Sequence, residues 1–457
     1  MAAPPSNRPG GPLGRMLRNP LMQRVIRNSG YLFTGSTLSA AMSMAQSVLA
    51  ARLLGAETFG VLGIITVFAS VVNRLTSFRM GELVVNYVGE FSAQGEPRKA
   101  AAAFKAAALA EASSSLLAYG LVVLLAPLGA RYLAHDANYA GLFSVYGAML
   151  LAHLVAESAT GLLQHFDRFR FQALAQIGQS LLTLVLIVLA TVVDAGLEAV
   201  VLAYLAGKVV WALAISTGAW IEAARRWGAG WWRTPLSAIG DQAGKMARFG
   251  ISTNLTGTLT LVTRDSEVLW LGALSSPLQV GYYKVTLAIL NLLLIPVQPL
   301  ISTTYREVAR EVATRSWANV RYLLRSGSLI SGAYSLTAAA GLVLFGRWVV
   351  ALWGSEFLPE SYLALLILLL GVSAVNIFYW NRTVLLPLGM PEYPTKVTLA
   401  AAAAKVGAIF LLVPRLGAAG MAITLSGFFL ATAIALVWKT LREIRRQEMP
   451  AAAPANT

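Results

Sequence analysis

Arg74, Lys208, Arg264 and Lys405 each stand well inside a long, otherwise apolar stretch of the sequence. An ionised side chain in apolar surroundings is costly unless it meets a counter-charge or water. No acid lies within one helical turn of Arg74, Lys208 or Lys405. Guanidinium forks and ammonium groups suit phosphate oxygens. Four of them converging from different helices would form a cationic cavity for a phosphate or pyrophosphate head group. The competing reading is a set of private ion pairs. Arg79 and Glu82, and Arg264 and Glu267, are spaced i, i+3 and so share a helix face. His153 and Glu157, spaced i, i+4, form either a proton-sensitive pair or a polar clasp between helices. Glu111, Glu157, His153, Asp265 and Glu267 are the candidates for coupling to H⁺ or Na⁺.

Other chemistry is excluded early. The chain has no cysteine, which removes disulfides, thiolate metal sites and cysteine nucleophiles. His135, His153 and His165 follow no metal-binding spacing, and no G-x-x-x-x-G-K-[ST] loop is present. No cofactor is expected.

The elements that position these residues follow from composition. Hydrophobic residues make up 57% and charged residues 12% of 457, with mean hydropathy +0.64. A soluble domain carries roughly 25% charged residues, so an ordinary cytosolic enzyme is excluded. A membrane-crossing helix needs about 20 apolar residues. Twelve such stretches are present, spans one to twelve, at 30–54, 58–90, 100–128, 139–163, 170–192, 197–221, 249–273, 278–304, 324–350, 360–385, 395–413 and 417–438. With an even number, both termini share one side. Lysine and arginine crowd that side, and only Arg52, Arg131, Arg347 and Arg415 fall on the other. This bias predicts cytoplasmic termini. It also accounts for the net charge of +15 without nucleic acid.

The expected organisation is all-α and polytopic. A basic tail (1–28), six spans (29–221), a cytoplasmic amphipathic linker (222–248), six more spans (249–440) and a second tail (441–457) succeed one another. The linker, with Trp227, Trp231, Trp232 and a basic face, suits an interfacial helix. The halves echo each other. Arg27 and Gly60 recur as Arg248 and Gly281 at a common offset of 221, which predicts parallel six-helix repeats. Pro296 and Pro299 predict a kink or hinge in span eight. Lys284 and Arg382, near span ends, are expected to snorkel to the interface.

The segment 49–63 (LAARLLGAETFGVLG) resembles the ARxLGxxxFGxxxL opening of the bacterial polysaccharide and O-antigen flippases. Phe78 to Glu82, with Asn86 and Tyr87, and the Val280-Gly281-Tyr282-Tyr283-Lys284 run are similar to further segments of that family. The resemblance places the chain in the multidrug/oligosaccharidyl-lipid/polysaccharide exporter superfamily. It implies a V-shaped, two-lobed, alternating-access transporter in the bacterial inner membrane. The implied substrate is an undecaprenyl-pyrophosphate-linked oligosaccharide, and the implied partners are membrane lipids and other polysaccharide-assembly membrane proteins. On this reading Arg79 and Glu82 form a gate at the cytoplasmic mouth. The alternative within the superfamily is a cation-coupled multidrug exporter, whose site should be dominated by acids and aromatics. A glycan polymerase is disfavoured because the longest outer loop, 346–360, is short.

Overall fold

The computed structural model describes residues 20–240, 242–250, 261 and 265–448, with side chains at 20–29, 299 and 302 outside the description. The described chain folds into helices: α1 (Pro20–Thr76), α2 (Met80–Ala93), α3 (Pro97–Tyr132), α4 (Ala140–Gly147), α5 (Met149–Ala152), α6 (Ala156–His165), α7 (Phe169–Val192) and α8 (Leu197–Trp227). The second half adds α9 (Glu267–Leu274), α10 (Pro277–Leu294), α11 (Gln298–Ala313), α12 (Trp317–Ala351), α13 (Glu360–Ile377) and α14 (Glu392–Glu448).

Nine helical stretches among the described residues are long and apolar enough to cross a membrane. Two are double length. Residues Gly30–Thr76 and Glu392–Glu448 run for 47 and 57 residues, roughly 70 and 85 Å at 1.5 Å per residue. A hydrocarbon core of about 30 Å cannot hold either in one pass. Each is broken where a glycine adopts positive φ, Gly55 at 73° and Gly417 at 53°, a conformation that side chains with a Cβ rarely take. The Gln279 carboxamide oxygen accepts from the Ala418 N–H at 2.8 Å, fixing the second turn. Span seven is only partly described, and Arg264 lies outside the described residues.

The halves meet through a crossing that repeats the sequence offset. On α1, Ala56 and Gly60 are four apart, and on α10 so are Pro277 and Gly281. A Cβ built on Gly60 would stand 1.8 Å from the Pro277 carbonyl oxygen, and one on Gly281 would stand 2.0 Å from that of Ala56. Small residues permit such backbone approach in membranes. Around this seam, Arg52 Nε donates to the Leu352 carbonyl at 2.7 Å and Trp353 Nε1 to Ser47 Oγ at 2.9 Å. His135 Nε2 lies 2.9 Å from the Gly272 carbonyl. The first two of these bonds lie beside the turn at Gly55, one span along α1 from Pro20.

Three expectations change. Lys284 does not reach for an interface: it crosses the seam over Gly63, with Nζ 4.9 Å from the Phe59 ring centroid. The absent side chain at Gly63, 221 residues earlier, makes the room. Span two is not continuous. It breaks at 77–79, where Arg79 sits at φ 51° before α2 begins. The segment 222–248 is not one interfacial helix either. α8 continues to Trp227, and short 3₁₀ turns follow at Trp231–Arg233 and Leu236–Ile239. Gly228, Gly230 and Pro235 interrupt helix there, and Trp231 buries itself against Phe104, Trp220 and Trp227.

Pro296 falls in a 3₁₀ turn, Ile295–Val297, between α10 and α11. Pro299 follows in the first turn of α11. The helical ladder of span eight is interrupted where two prolines withhold N–H groups.

Candidate functional site

The end of α1, the start of α9 and the second half of α10 surround a cavity of about 320 Å³ between the halves. Its polar wall comprises Ser70, Arg74, Asp265, Glu267 and Asn291, and Val372, Leu425 and Phe429 from α13 and α14 supply apolar wall.

Arg74 binds Asp265 across the halves through a direct ion pair. The arginine side chain is 53% exposed and the aspartate 29%. Span two supplies no acid near Arg74, so span seven does. Lys405 is different. It pairs with Glu267 within the second half, and the side chains are 1% and 2% exposed. The Tyr283 hydroxyl donates to the second Glu267 oxygen at 2.5 Å, and the Phe428 ring lies 5.5 Å from Lys405 Nζ. Lys405 therefore stands behind the cavity wall and Glu267 in it. Helix depth was readable from sequence, but the face that Lys405 presents was not.

Lys208 does not reach this cavity wall. It sits half-buried on α8, beside His153, within the first half. The His153 ring meets Trp211 edge-on at 5.4 Å. Arg79 and Glu82 form the local pair expected from their spacing, at 3.0 Å and half exposed. Together with Glu157 and Trp211 they line a second cavity, of about 450 Å³. The structure thus sorts the candidate charges into two sites: Arg74, Asp265 and Glu267 between the halves, and Arg79, Glu82 and Glu157 inside the first. Each cation in these walls has a carboxylate beside it.

Glu111 performs a structural task. Span four is broken at 153–155, and α6 restarts there with exposed N–H groups. The Glu111 carboxylate on α3 accepts from the Glu157 N–H at 2.7 Å, the Ser158 N–H at 2.8 Å and the Ser158 hydroxyl at 2.6 Å. It caps a helix start from another helix, satisfying orphan donors and meeting the positive end of the dipole. The Glu157 side chain in turn accepts from Ser77 Oγ at 3.2 Å, joining the breaks of spans two and four. Glu111→Ala should lower the thermal unfolding midpoint of the purified protein, by the equivalent of about 1–3 kcal/mol for buried donors left unpaired. Glu111→Gln, which keeps an acceptor, should cost less. Equal midpoints for Glu111→Ala and the unaltered protein would refute the capping role.

Sequence reasoning missed Tyr283 as a partner of Glu267 and Trp211 as a cavity wall. Tyr283 offered a signal, a hydroxyl in an apolar run, where a buried O–H seeks an acceptor.

The model of a family described as polysaccharide biosynthesis protein matches residues 25–305. A search of curated proteins finds no match. Among solved structures, the fold is similar to an inward-facing multidrug resistance transporter of the MATE family and MOP superfamily. That alignment has TM-score 0.73 and 16% identity, over 91% of this chain and 96% of that one. It is also similar to the lipid II flippase MurJ in an inward closed conformation, with TM-score 0.67 and 11% identity over 91% and 89%. An outward-facing MATE transporter aligns with TM-score 0.55 and 16% identity, over 95% and 98%. The shared fold is that of MOP-superfamily transporters.

Proposed function

The chain belongs to the polysaccharide biosynthesis protein family, and from that premise we propose that it flips an undecaprenyl-pyrophosphate-linked oligosaccharide across the bacterial inner membrane. The observation that carries this reading is Arg74. It is half exposed in the cavity between the halves, and its partner is an aspartate from the other half. A half-exposed ion pair contributes about 0–1 kcal/mol. A pyrophosphate can therefore displace Asp265 and take the guanidinium bidentately. Releasing Asp265 also unties one bond between the halves, so binding and reorientation share one residue. Lys405 serves differently, by holding Glu267 in place. With the termini on the cytoplasmic side, as the lysine and arginine bias argues, the sealed seam is periplasmic and the cavity loads from the cytoplasm.

The carboxylates of Asp265 and Glu267 in the same wall favour a second reading, an exporter of organic cations. Native mass spectrometry separates the two. Undecaprenyl pyrophosphate should be retained over undecaprenol and over tetraphenylphosphonium, and Arg74→Ala should weaken its retention about tenfold or more, as expected for loss of a charge-assisted pair. Retention of tetraphenylphosphonium, with indifference to the pyrophosphate, would favour the second reading and reduce Arg74 to a structural partner.

A further inference from the structure

The cavity inside the first half is unlike the one between the halves. We propose that it is a saccharide subsite, in which Trp211 stacks on a sugar ring of the lipid-linked substrate while Gln164 and Glu82 bind its hydroxyls. The inference rests on the flippase reading and adds the place where the glycan is held.

Three observations carry it. Its volume of about 450 Å³ falls within the roughly 300–1,000 Å³ of small-ligand sites. Its floor is bare backbone. A Cβ on Gly161 would stand 2.4 Å from the Gly81 carbonyl oxygen, and one on Gly81 would stand 2.9 Å from that of Glu157. α2 and α6 thus touch main chain to main chain, and both glycines line the cavity without a side chain of their own. Around that floor stand an aromatic face and several polar groups. Trp211 offers an indole, whose negative π-face attracts the polarised C–H bonds on one side of a pyranose. Glu82 offers a half-exposed carboxylate with Arg79 beside it. The half-buried Gln164 amide has no hydrogen-bond partner among the described residues. An amide and a carboxylate accept and donate in the pairs that vicinal hydroxyls require. A bare anion would need cations without matching acids, and a lipid chain would need an apolar lining; this wall provides neither.

Position links the two cavities. Arg74 and Arg79 are five residues apart across the break at 77–79, so their Cα atoms are at most roughly 18 Å apart. That is within reach of a short glycan whose pyrophosphate lies at Arg74.

The test measures the affinity gained by adding a sugar. Undecaprenyl pyrophosphate and two glycosylated forms of it, bearing N-acetylglucosamine or galactose, are titrated against the protein in nanodiscs. The unaltered protein should bind at least one glycosylated form more tightly than the bare lipid. Trp211→Leu should erase that gain, about tenfold for a lost stacking face, and Trp211→Phe should keep most of it. Gln164→Ala, at a half-buried side chain with no hydrogen-bond partner among the described residues, should reduce the gain about threefold. Arg74→Ala should weaken all three lipids alike. An undiminished sugar-dependent gain in both Trp211→Leu and Gln164→Ala, or no gain with either sugar in the unaltered protein, would overturn the subsite alone. No binding of any pyrophosphate lipid by the unaltered protein would remove the flippase reading, and the subsite with it.

Discussion

Gly60→Leu and Gly281→Leu should each hold open the seam between α1 and α10 and stop transport. The argument is steric. A Cβ at either position would meet a carbonyl oxygen of the facing helix at 1.8 or 2.0 Å. Those oxygens belong to backbone, so no side chain can swing aside. The clash exists only while the seam is closed, so the substitution penalises one state of an alternating carrier and spares the other. Overpacking costs about 1–3 kcal/mol, which shifts a two-state balance by roughly 5–150-fold. The chain's lack of cysteine allows labelling without background. Spin labels at Glu57 and Glu360, both exposed near the seam, should report a longer distance in either variant than in the unaltered protein. Gly120→Leu is the control, because a Cβ there meets nothing within 4 Å. An unchanged distance in both seam variants would show that the crossing is not the gate.

Lys405→Met should strongly destabilise the second half. It leaves the Glu267 carboxylate, 2% exposed, without its ammonium. Tyr283 still donates to it, but a neutral hydroxyl does not balance a buried charge. Breaking a buried pair from one side costs about 3–5 kcal/mol. Removing both charges should cost far less, so Lys405→Met with Glu267→Gln should recover most of the lost stability. Thermal unfolding in detergent, followed by size-exclusion chromatography, reads this directly. A double variant no more stable than Lys405→Met would mean that the pair is not what holds these helices together.

Much of the fold was legible in the sequence because membranes impose simple rules. Span length follows from bilayer thickness, and the 221-residue offset between Gly60 and Gly281 identified two positions that the structure places face to face. The helix breaks were less visible. Nothing local in 77–79 announces one. The break depends on Arg79 taking positive φ and on Ser77 reaching Glu157, 80 residues away. The candidate site was legible in depth but not in direction. Counting residues put Arg74 and Lys405 at similar levels. It could not tell that one faces a cavity while the other faces Glu267, 138 residues away. Partners from distant helices, such as Asp265 for Arg74, leave no signature in local spacing. Glu111 shows the same limit: a lone acid in an apolar helix stands as a coupling candidate in the sequence, and nothing local there announces the three hydrogen bonds by which it caps α6.

The central claim is that a lipid-linked pyrophosphate saccharide crosses the membrane through this protein. Proteoliposomes loaded in the inner leaflet with undecaprenyl-pyrophosphate-linked N-acetylglucosamine or galactose test it, with exposed sugar captured by an impermeant lectin. Protein-dependent appearance of either sugar outside, lost in Arg74→Ala and in Gly60→Leu, is the predicted result. Protein-dependent movement of tetraphenylphosphonium, with both saccharides left where they were loaded, would contradict it.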